Sequence, residues 1–175
     1  LVHATSLPLI QQEPMCILDI GAGSGRDAAW FSDRGHQVTA IEPSVQLRQI
    51  GESLHPSAAI HWQQDSLPKL ASIIGKTFNL IWLSAVWIHL DQSARQEAMA
   101  RLSTLLRPGA RIMLSLRRGP SPADRQLYEV PVAEVESQAC EHGLTVIQVD
   151  HSRDQLGRDE VCWDTVWLES REIAG

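Results

Sequence analysis

Three glycines near the start of this 175-residue chain could bring a ligand close to the backbone. Gly21, Gly23 and Gly25 alternate with small residues and follow the apolar run 16–20, which is typical of a buried strand. Glycine adopts backbone angles that other residues avoid and leaves room beside the main chain. A helix that begins here would also present free N–H groups in its first turn. The segment therefore predicts a strand-to-helix turn that binds a nucleotide-like ligand.

The spacing of these glycines discriminates between nucleotide ligands. A dinucleotide-binding turn has the pattern G-x-G-x-x-G, and its third glycine would fall on Arg26 if the pattern began at Gly21. Glu42 ends the next predicted strand, about twenty residues beyond the turn, where a carboxylate can accept both hydroxyls of a ribose. The spacing disfavours a nicotinamide oxidoreductase, whereas Glu42 supports a nucleoside without identifying it.

The pattern D-x-G-x-G-x-G, which begins at Asp19, resembles the first motif of class I S-adenosylmethionine-dependent methyltransferases. The resemblance extends over residues 16–168, and the segments 23–30, 40–44 and 83–89 look like a group of uncharacterised bacterial methyltransferases. It implies S-adenosylmethionine as methyl donor and S-adenosylhomocysteine as product. The cofactor site that it implies comprises Asp19, Gly21, Ala22, Gly23, Gly25, Glu42, Pro43, Asp65, Ser66, Leu67 and Ser84.

The resemblance also implies roles for the residues that would surround the adenine. Pro43 would lie under the ring, Asp65 would accept a hydrogen bond from the exocyclic amine, and Leu67 would supply an apolar contact. Asp65 has a plainer interpretation, because aspartate often stabilises a turn through its own backbone.

The residues that follow the fourth predicted strand indicate the class of methyl acceptor. Enzymes that methylate base amino groups usually carry an Asn/Asp-Pro-Pro-aromatic run here, whereas this chain has Leu83-Ser84-Ala85-Val86. No Pro-Cys nucleophile is present, and Ser84 is a poor ligand for a divalent metal. We therefore expect no metal and a small-molecule acceptor, with a protein side chain as the less favoured choice.

Several residues are candidates for the acceptor pocket. His89 titrates near neutrality and could remove a proton as general base, or it could only order its loop. Trp87 could form a pocket wall or simply pack. Arg117 and the adjacent Arg118 could bind an acidic group or belong to a solvated loop, and Tyr128 lies on a polar stretch that could act as a lid. The predicted pocket thus comprises Trp87, His89, Arg117 and Tyr128.

Methyl transfer from an activated donor depends largely on positioning, so the lack of a catalytic dyad does not argue against an enzyme. The sequence leaves two functions open. One is a methyltransferase acting on a small molecule, and the other is a non-catalytic S-adenosylmethionine-binding or regulatory domain of the same fold.

Charge and composition narrow the partners. The chain has 15 basic and 21 acidic residues, giving a net charge of -6. This charge argues against a nucleic-acid partner, because proteins that bind nucleic acids usually present a basic face. No apolar run approaches the roughly 18 residues of a membrane span.

The three cysteines, Cys16, Cys140 and Cys162, are far apart in the sequence. We therefore expect neither a zinc site nor a disulfide framework, and we place the protein in the cytoplasm. The oligomeric state is left open.

The elements that must position these residues alternate in type along the chain. Strands are predicted at 16–20, 37–42, 58–62, 78–83, 110–116, 144–149 and 161–168. Helices are predicted from about Arg26 to Arg34, from the Ser44 cap to about Leu54, from Asp91 or Ser93 to Leu106, and from Val132 to His142.

This alternation predicts an α/β fold with a Rossmann-like, doubly wound, seven-stranded sheet, mostly parallel with an antiparallel C-terminal hairpin. Residues 1–175 would form a single methyltransferase domain whose N-terminal cap is short or truncated. Ligands in such sheets bind at the carboxyl ends of the strands, which places the ends of the first, second and fourth strands at the site.

Overall fold

The computed structural model describes residues 8–56, 59–154 and 156–171. Residues 1–7, part of the segment before β1 that is predicted as a short or truncated N-terminal cap, lie outside the described residues. The strands are β1 (Cys16–Ile20), β2 (Gln37–Ile41), β3 (Ile60–Gln63), β4 (Phe78–Leu83), β5 (Leu106–Arg118), β6 (Leu144–Arg153) and β7 (Cys162–Ser170). The helices are α1 (Arg26–Ser32), α2 (Val45–Leu54), α3 (Gln92–Ser103) and α4 (Val132–Glu141), with a 3₁₀ turn at Trp87–His89.

The strands form one seven-stranded sheet in the order β3-β2-β1-β4-β5-β7-β6. The pairs β1–β2, β1–β4, β2–β3 and β4–β5 are parallel, whereas β7 runs antiparallel to both β5 and β6. The predicted doubly wound fold with an antiparallel C-terminal hairpin is confirmed. The strand order reverses between β1 and β4, so the carboxyl ends of these strands flank the crevice in which such sheets bind ligands.

Local signals set the ends of the helices. The Ser44 hydroxyl accepts a hydrogen bond from the Leu47 N–H at 3.3 Å and caps α2 as predicted. The Asp91 carboxylate accepts one from the Ala94 N–H at 2.8 Å, which decides between the two predicted caps of α3. Gly35 and Gly143 follow α1 and α4 with φ of 85° and 74°, the left-handed conformation that favours glycine after a helix.

Several predicted boundaries are wrong. Helix α3 ends at Ser103 rather than Leu106, because Leu106 already pairs with Phe78 as the first residue of β5. The segment 107–109 therefore belongs to an irregular start of β5, where the pairing register shifts and Gly109 has a φ of 71°. The hairpin strands also extend beyond their predicted ends, to Arg153 and Ser170.

Both faces of the sheet are covered. Alternate residues of β1 enter different hydrophobic clusters, with Leu18 and Ile20 in one and Ile17 in the other. A strand that is buried on both faces carries a continuous apolar run instead of strict alternation. Among the described residues, no helix is long and apolar enough to cross a membrane.

Candidate functional site

The glycine turn lies between β1 and α1, as the sequence predicts. Gly21, Gly23 and Gly25 have φ of 68°, 57° and 82°, which are left-handed values that side chains with a Cβ rarely adopt. The Ala22 N–H donates to the carbonyl of Ile41 at 2.9 Å and ties the turn to the end of β2. The backbone conformation thus accounts for all three glycines before any ligand is considered.

The three glycines differ in the space beside them. A Cβ built on Gly21 would lie 2.5 Å from Val86 Cγ2, and one on Gly25 would lie 2.7 Å from the Trp62 ring. A Cβ on Gly23 would meet no heavy atom within 4 Å. Gly21 and Gly25 therefore make room for the protein's own side chains, and only Gly23 leaves an open space that a ligand could enter.

Glu42 is held against this turn by two backbone donors. Its Oε2 accepts a hydrogen bond from the Gly23 N–H and its Oε1 accepts one from the Ser44 N–H, both at 2.8 Å. The residue is 5% exposed. Because each carboxylate oxygen can accept a further hydrogen bond, the geometry presents a fixed anionic acceptor beside the open face of Gly23.

Asp19 is buried below the turn with an unusual charge state. Burial, followed by repulsion from Asp27, raises its pKa from 3.8 to about 8. The N–H of Ala28 donates to its carboxyl group, but its buried Oδ2 has no hydrogen-bond partner among the described residues. A carboxyl group in this state is protonated at neutral pH, and a nearby cation would favour its ionisation.

Asp27 is a buried acidic residue in the first turn of α1. Its Oδ2 accepts a hydrogen bond from the Trp82 Nε1–H on β4 at 3.1 Å, and the Arg26 Nε donates to its Oδ1 at 3.0 Å. The carboxylate ties α1 to the middle of the sheet. Sequence reasoning missed this bond because the two residues are 55 positions apart.

The loop predicted to recognise adenine is held together by Asp65. The Asp65 carboxylate accepts hydrogen bonds from the N–H groups of Ser66 at 2.7 Å and of Ser72 at 2.6 Å. Partial burial opposes ionisation, yet these bonds outweigh it and lower the pKa of Asp65. Leu67 packs partly buried against the core, whereas Pro43 is exposed. Asp65 thus stabilises its own turn, and adenine recognition stays a prediction.

A cavity of about 380 Å³ lies at the carboxyl ends of β4 and β5, beside the connection between β6 and β7. The apolar part of its wall includes Ile88, Leu127 and Trp163. Ser84, His89 and Arg117 line it as well, so the structure brings together three residues that the sequence assigned to cofactor and acceptor.

Two residues predicted in the acceptor pocket lie elsewhere. Trp87 is fully buried within the larger hydrophobic cluster and does not line the cavity, since its 3₁₀ turn points the ring into the core. Tyr128 lines a neighbouring depression together with Arg117. Its N–H donates to the Ile88 carbonyl at 2.8 Å, and its ring lies 5.8 Å from the Arg95 guanidinium. Tyr128 therefore fixes the loop rather than facing this cavity.

The end of β4 carries backbone strain at the cavity wall. Ala85 has a φ of 58°, which is costly for a residue with a Cβ. Its N–H donates to the Ser115 hydroxyl on β5 at 2.7 Å, which holds the strained turn in place. The strand alternation on β5 predicts that Ser115 and Arg117 share one face, but the bond from Ala85 could not be predicted because the two residues are 30 positions apart.

His89 lies on the cavity wall with a lowered pKa. Burial lowers it first, and the positive charge of Arg125 lowers it further. Both effects favour the neutral imidazole, whose free ring nitrogen can accept a proton. In the described residues, no cluster of three His, Cys, Asp or Glu side chains could hold a metal ion.

The fold and the site together define a Rossmann-like α/β protein with a glycine-rich strand-to-helix turn next to a cavity. The family model described as "Methyltransferase domain" matches residues 2–157. The chain therefore belongs to the methyltransferase domain family.

Individual relatives are more distant. The chain is 31% identical over 101 residues to an uncharacterised methyltransferase of Alkaliphilus oremlandii, covering 56% of this chain and 44% of the relative. It is 33% identical over 95 residues to the malonyl-[acyl-carrier protein] O-methyltransferase of Enterobacter lignolyticus, covering 53% and 35%. The chain thus spans less than half the length of these two relatives.

The fold also matches solved structures. One is the Burkholderia thailandensis 1,6-didemethyltoxoflavin-N1-methyltransferase, whose crystal structure contains 1,6-didemethyltoxoflavin and S-adenosylhomocysteine. The two structures superimpose with a TM-score of 0.78 at 20% identity, covering 95% of this chain and 75% of that one. At this identity the match shows a shared fold.

Proposed function

We propose that this protein binds S-adenosylmethionine at the glycine turn and transfers the methyl group to a small molecule in the adjacent cavity. The observation that carries the proposal is the open space beside Gly23, next to a Glu42 carboxylate that the Gly23 N–H itself holds. Membership of the methyltransferase domain family supports it. So does the volume of the cavity, which is in the range of small-molecule sites.

The residues present fit such a cofactor in three respects. Glu42 offers two fixed oxygens suited to ribose hydroxyls, Gly23 leaves the backbone approachable, and Asp19 has a buried oxygen without a hydrogen-bond partner that would be stabilised by a cationic group. When bound, the cofactor supplies a methyl group already activated by its positively charged sulfur.

The chain's own contribution to the reaction is mainly to hold the acceptor in place. Ile88, Leu127 and Trp163 give the cavity an apolar wall against which the acceptor can lie, and the strained turn at Ala85 brings the backbone after β4 to this wall. His89 is the proposed general base, taking the proton that the acceptor's attacking atom loses. Its lowered pKa keeps its nitrogen free for that proton.

Calorimetric titration with S-adenosylhomocysteine tests the cofactor site. We expect the wild-type chain to bind S-adenosylhomocysteine and not NADH, and Glu42→Gln to bind it about 10- to 100-fold more weakly, because a charged hydrogen-bond acceptor contributes about 1.5–3 kcal/mol. Glu52→Gln is the matched control, since Glu52 is a half-exposed carboxylate on α2 whose partner is Arg48.

Two outcomes would count against the proposal. Failure of folded wild-type chain to bind S-adenosylhomocysteine would reject the cofactor assignment. Binding without transfer of a labelled methyl group to any component of a metabolite extract would instead favour a non-catalytic binding domain.

The charge state of His89 can be tested without knowing the acceptor. We expect an NMR titration to give His89 a pKa below the ordinary histidine value. Arg125→Gln should raise that pKa, because it removes a neighbouring positive charge that opposes protonation. His61 is a suitable control in the same spectra, as it lies on β3 and does not line the cavity. An unchanged His89 titration in the variant would contradict the assigned cause.

A further inference from the structure

The cavity has a charge opposite to that of the whole protein. The chain carries a net charge of -6, yet five arginines and a single carboxylate, that of Asp154, line this cavity. The arginines are Arg26, Arg117, Arg125, Arg153 and Arg158. Such a concentration of positive charge in a concave site attracts anions.

Three of these arginines have partners within the chain. Arg26 pairs with Asp27 at 3.0 Å, Arg158 with Asp154 at 2.7 Å, and Arg125 with Asp124 at 3.6 Å. Within the described residues, no ion pair involves Arg117 or Arg153. The cavity therefore has an excess of positive charge that the protein does not neutralise.

Arg117 stands out because it is buried. It is 6% exposed, its Nη1 donates to the Gly119 carbonyl at 3.0 Å, and its buried Nε has no hydrogen-bond partner among the described residues. A buried guanidinium with an unused donor and no counter-ion is costly. An anion that enters the cavity would satisfy both deficits at once.

The position of Arg117 is fixed by the sheet. It lies on β5 directly opposite Trp163 on β7, which in turn lies opposite Ser152 on β6, and all three line the cavity. Ser115, two residues earlier on the same face of β5, bonds the Ala85 N–H at the end of β4. One face of the sheet thus connects the guanidinium to the strand end where methyl transfer is proposed.

We propose that the methyl acceptor is a small carboxylic acid with an apolar body, anchored by its carboxylate on the Arg117 guanidinium. This inference rests on the proposed function. The planar guanidinium matches the two oxygens of a carboxylate, and Ile88, Leu127 and Trp163 provide an apolar wall. Arg117 is buried, whereas Arg153, the other lining arginine without an ion pair among the described residues, is exposed to water. The buried charge that a ligand must balance is therefore a single one, which favours a carboxylate over a phosphate dianion.

The test measures binding of named probes by calorimetry, with and without S-adenosylhomocysteine. The probes are benzoate, 4-hydroxybenzoate and phenylacetate, each compared with its primary amide, and phenyl phosphate. We expect at least one carboxylate to bind at least about 10-fold more tightly than its amide. Arg117→Gln should abolish that preference, and Arg117→Lys, which keeps the charge but loses the planar fork, should reduce it.

Arg118 provides a matched control. It is adjacent on β5 but points away from the cavity, and its Nη2 donates to Asp164 at 2.9 Å. Arg118→Gln should therefore keep the preference for the carboxylate. If the circular dichroism spectrum shows that Arg117→Gln does not fold, the preference for carboxylate over amide is compared between Arg117→Lys and Arg118→Lys. Only Arg117→Lys should then show a reduced preference.

The outcomes separate this inference from the function on which it rests. Equal binding of acids and amides, no binding of any carboxylate, or an unchanged preference in the Arg117 variants would overturn it, even when S-adenosylhomocysteine binds normally. Tighter binding of phenyl phosphate would also overturn it, in favour of a phosphate ester. Carboxylate binding that depends on Arg117 in a protein that cannot bind S-adenosylhomocysteine would instead reject the proposed methyl transfer.

Discussion

Gly23→Ala is expected to weaken S-adenosylhomocysteine binding about 10- to 100-fold while the protein remains folded. The new methyl group would point into the one open space beside the glycine turn. Overpacking a closely fitted site by such a group costs about 1–3 kcal/mol. Calorimetric titration of both proteins measures the effect on affinity.

Gly35→Ala separates this effect from backbone strain. Gly35 also has a positive φ, 85°, and an added Cβ there would likewise meet nothing within 4 Å, but it follows α1 at the end remote from the turn. Both substitutions should therefore cost a similar stability, about 1–2 kcal/mol. Equal loss of affinity in the two variants, or none in Gly23→Ala, would contradict a ligand site at Gly23.

Asp19→Asn is expected to remove a large pH-dependent loss of stability. The native pKa of Asp19 is raised to about 8 from 3.8 in the unfolded chain. Between these values the folded protein holds a proton that the unfolded chain has released. The contribution of the protonated Asp19 carboxyl group to the free energy of unfolding is fully present below about pH 4. It is lost progressively as the pH rises toward about 8.

The measurement is the free energy of unfolding in urea at several pH values across this range, for the wild type and Asp19→Asn. Asparagine cannot ionise. Between about pH 4 and pH 8, the free energy of unfolding of Asp19→Asn should therefore rise relative to that of the wild type by up to about 1.4 kcal/mol for each pH unit. Asp65→Asn should show the opposite sign, since hydrogen bonds lower the pKa of Asp65 and its contribution is lost as the pH falls. A flat difference for Asp19→Asn would show that its carboxyl group is ionised in the folded protein.

Most of the fold could be predicted because its signals are local. Apolar runs, glycine stops and the caps at Ser44 and Asp91 depend on neighbouring residues in the chain. The predictions were less accurate at the start of β5, where Leu106 looked like the last turn of a helix and instead pairs with Phe78. Pairing between distant segments outweighed the local helical pattern there.

In the candidate site, too, the features set by nearby residues could be predicted and those set by distant residues could not. The sequence identified the turn and the acidic residue at the end of β2, and both lie together through the bond from Gly23 to Glu42. The sequence could not show that Trp87 faces the core. It also missed Arg153 and Arg158, which reach the cavity only because β7 pairs with β5 and brings the β6–β7 connection to the end of that strand.

The sequence by itself determined the order of the elements, the turn that a ligand could approach and the carboxylate beside it, because these follow from the types and spacing of nearby residues. Only the tertiary structure decided which glycine is open, since Val86 and Trp62 fill the space beside the other two. It also separated Arg117, buried in a cavity, from Arg118, paired with Asp164. The space beside a glycine and the partner of an arginine depend on residues far away in the sequence, and only the folded structure shows which of these residues are in contact.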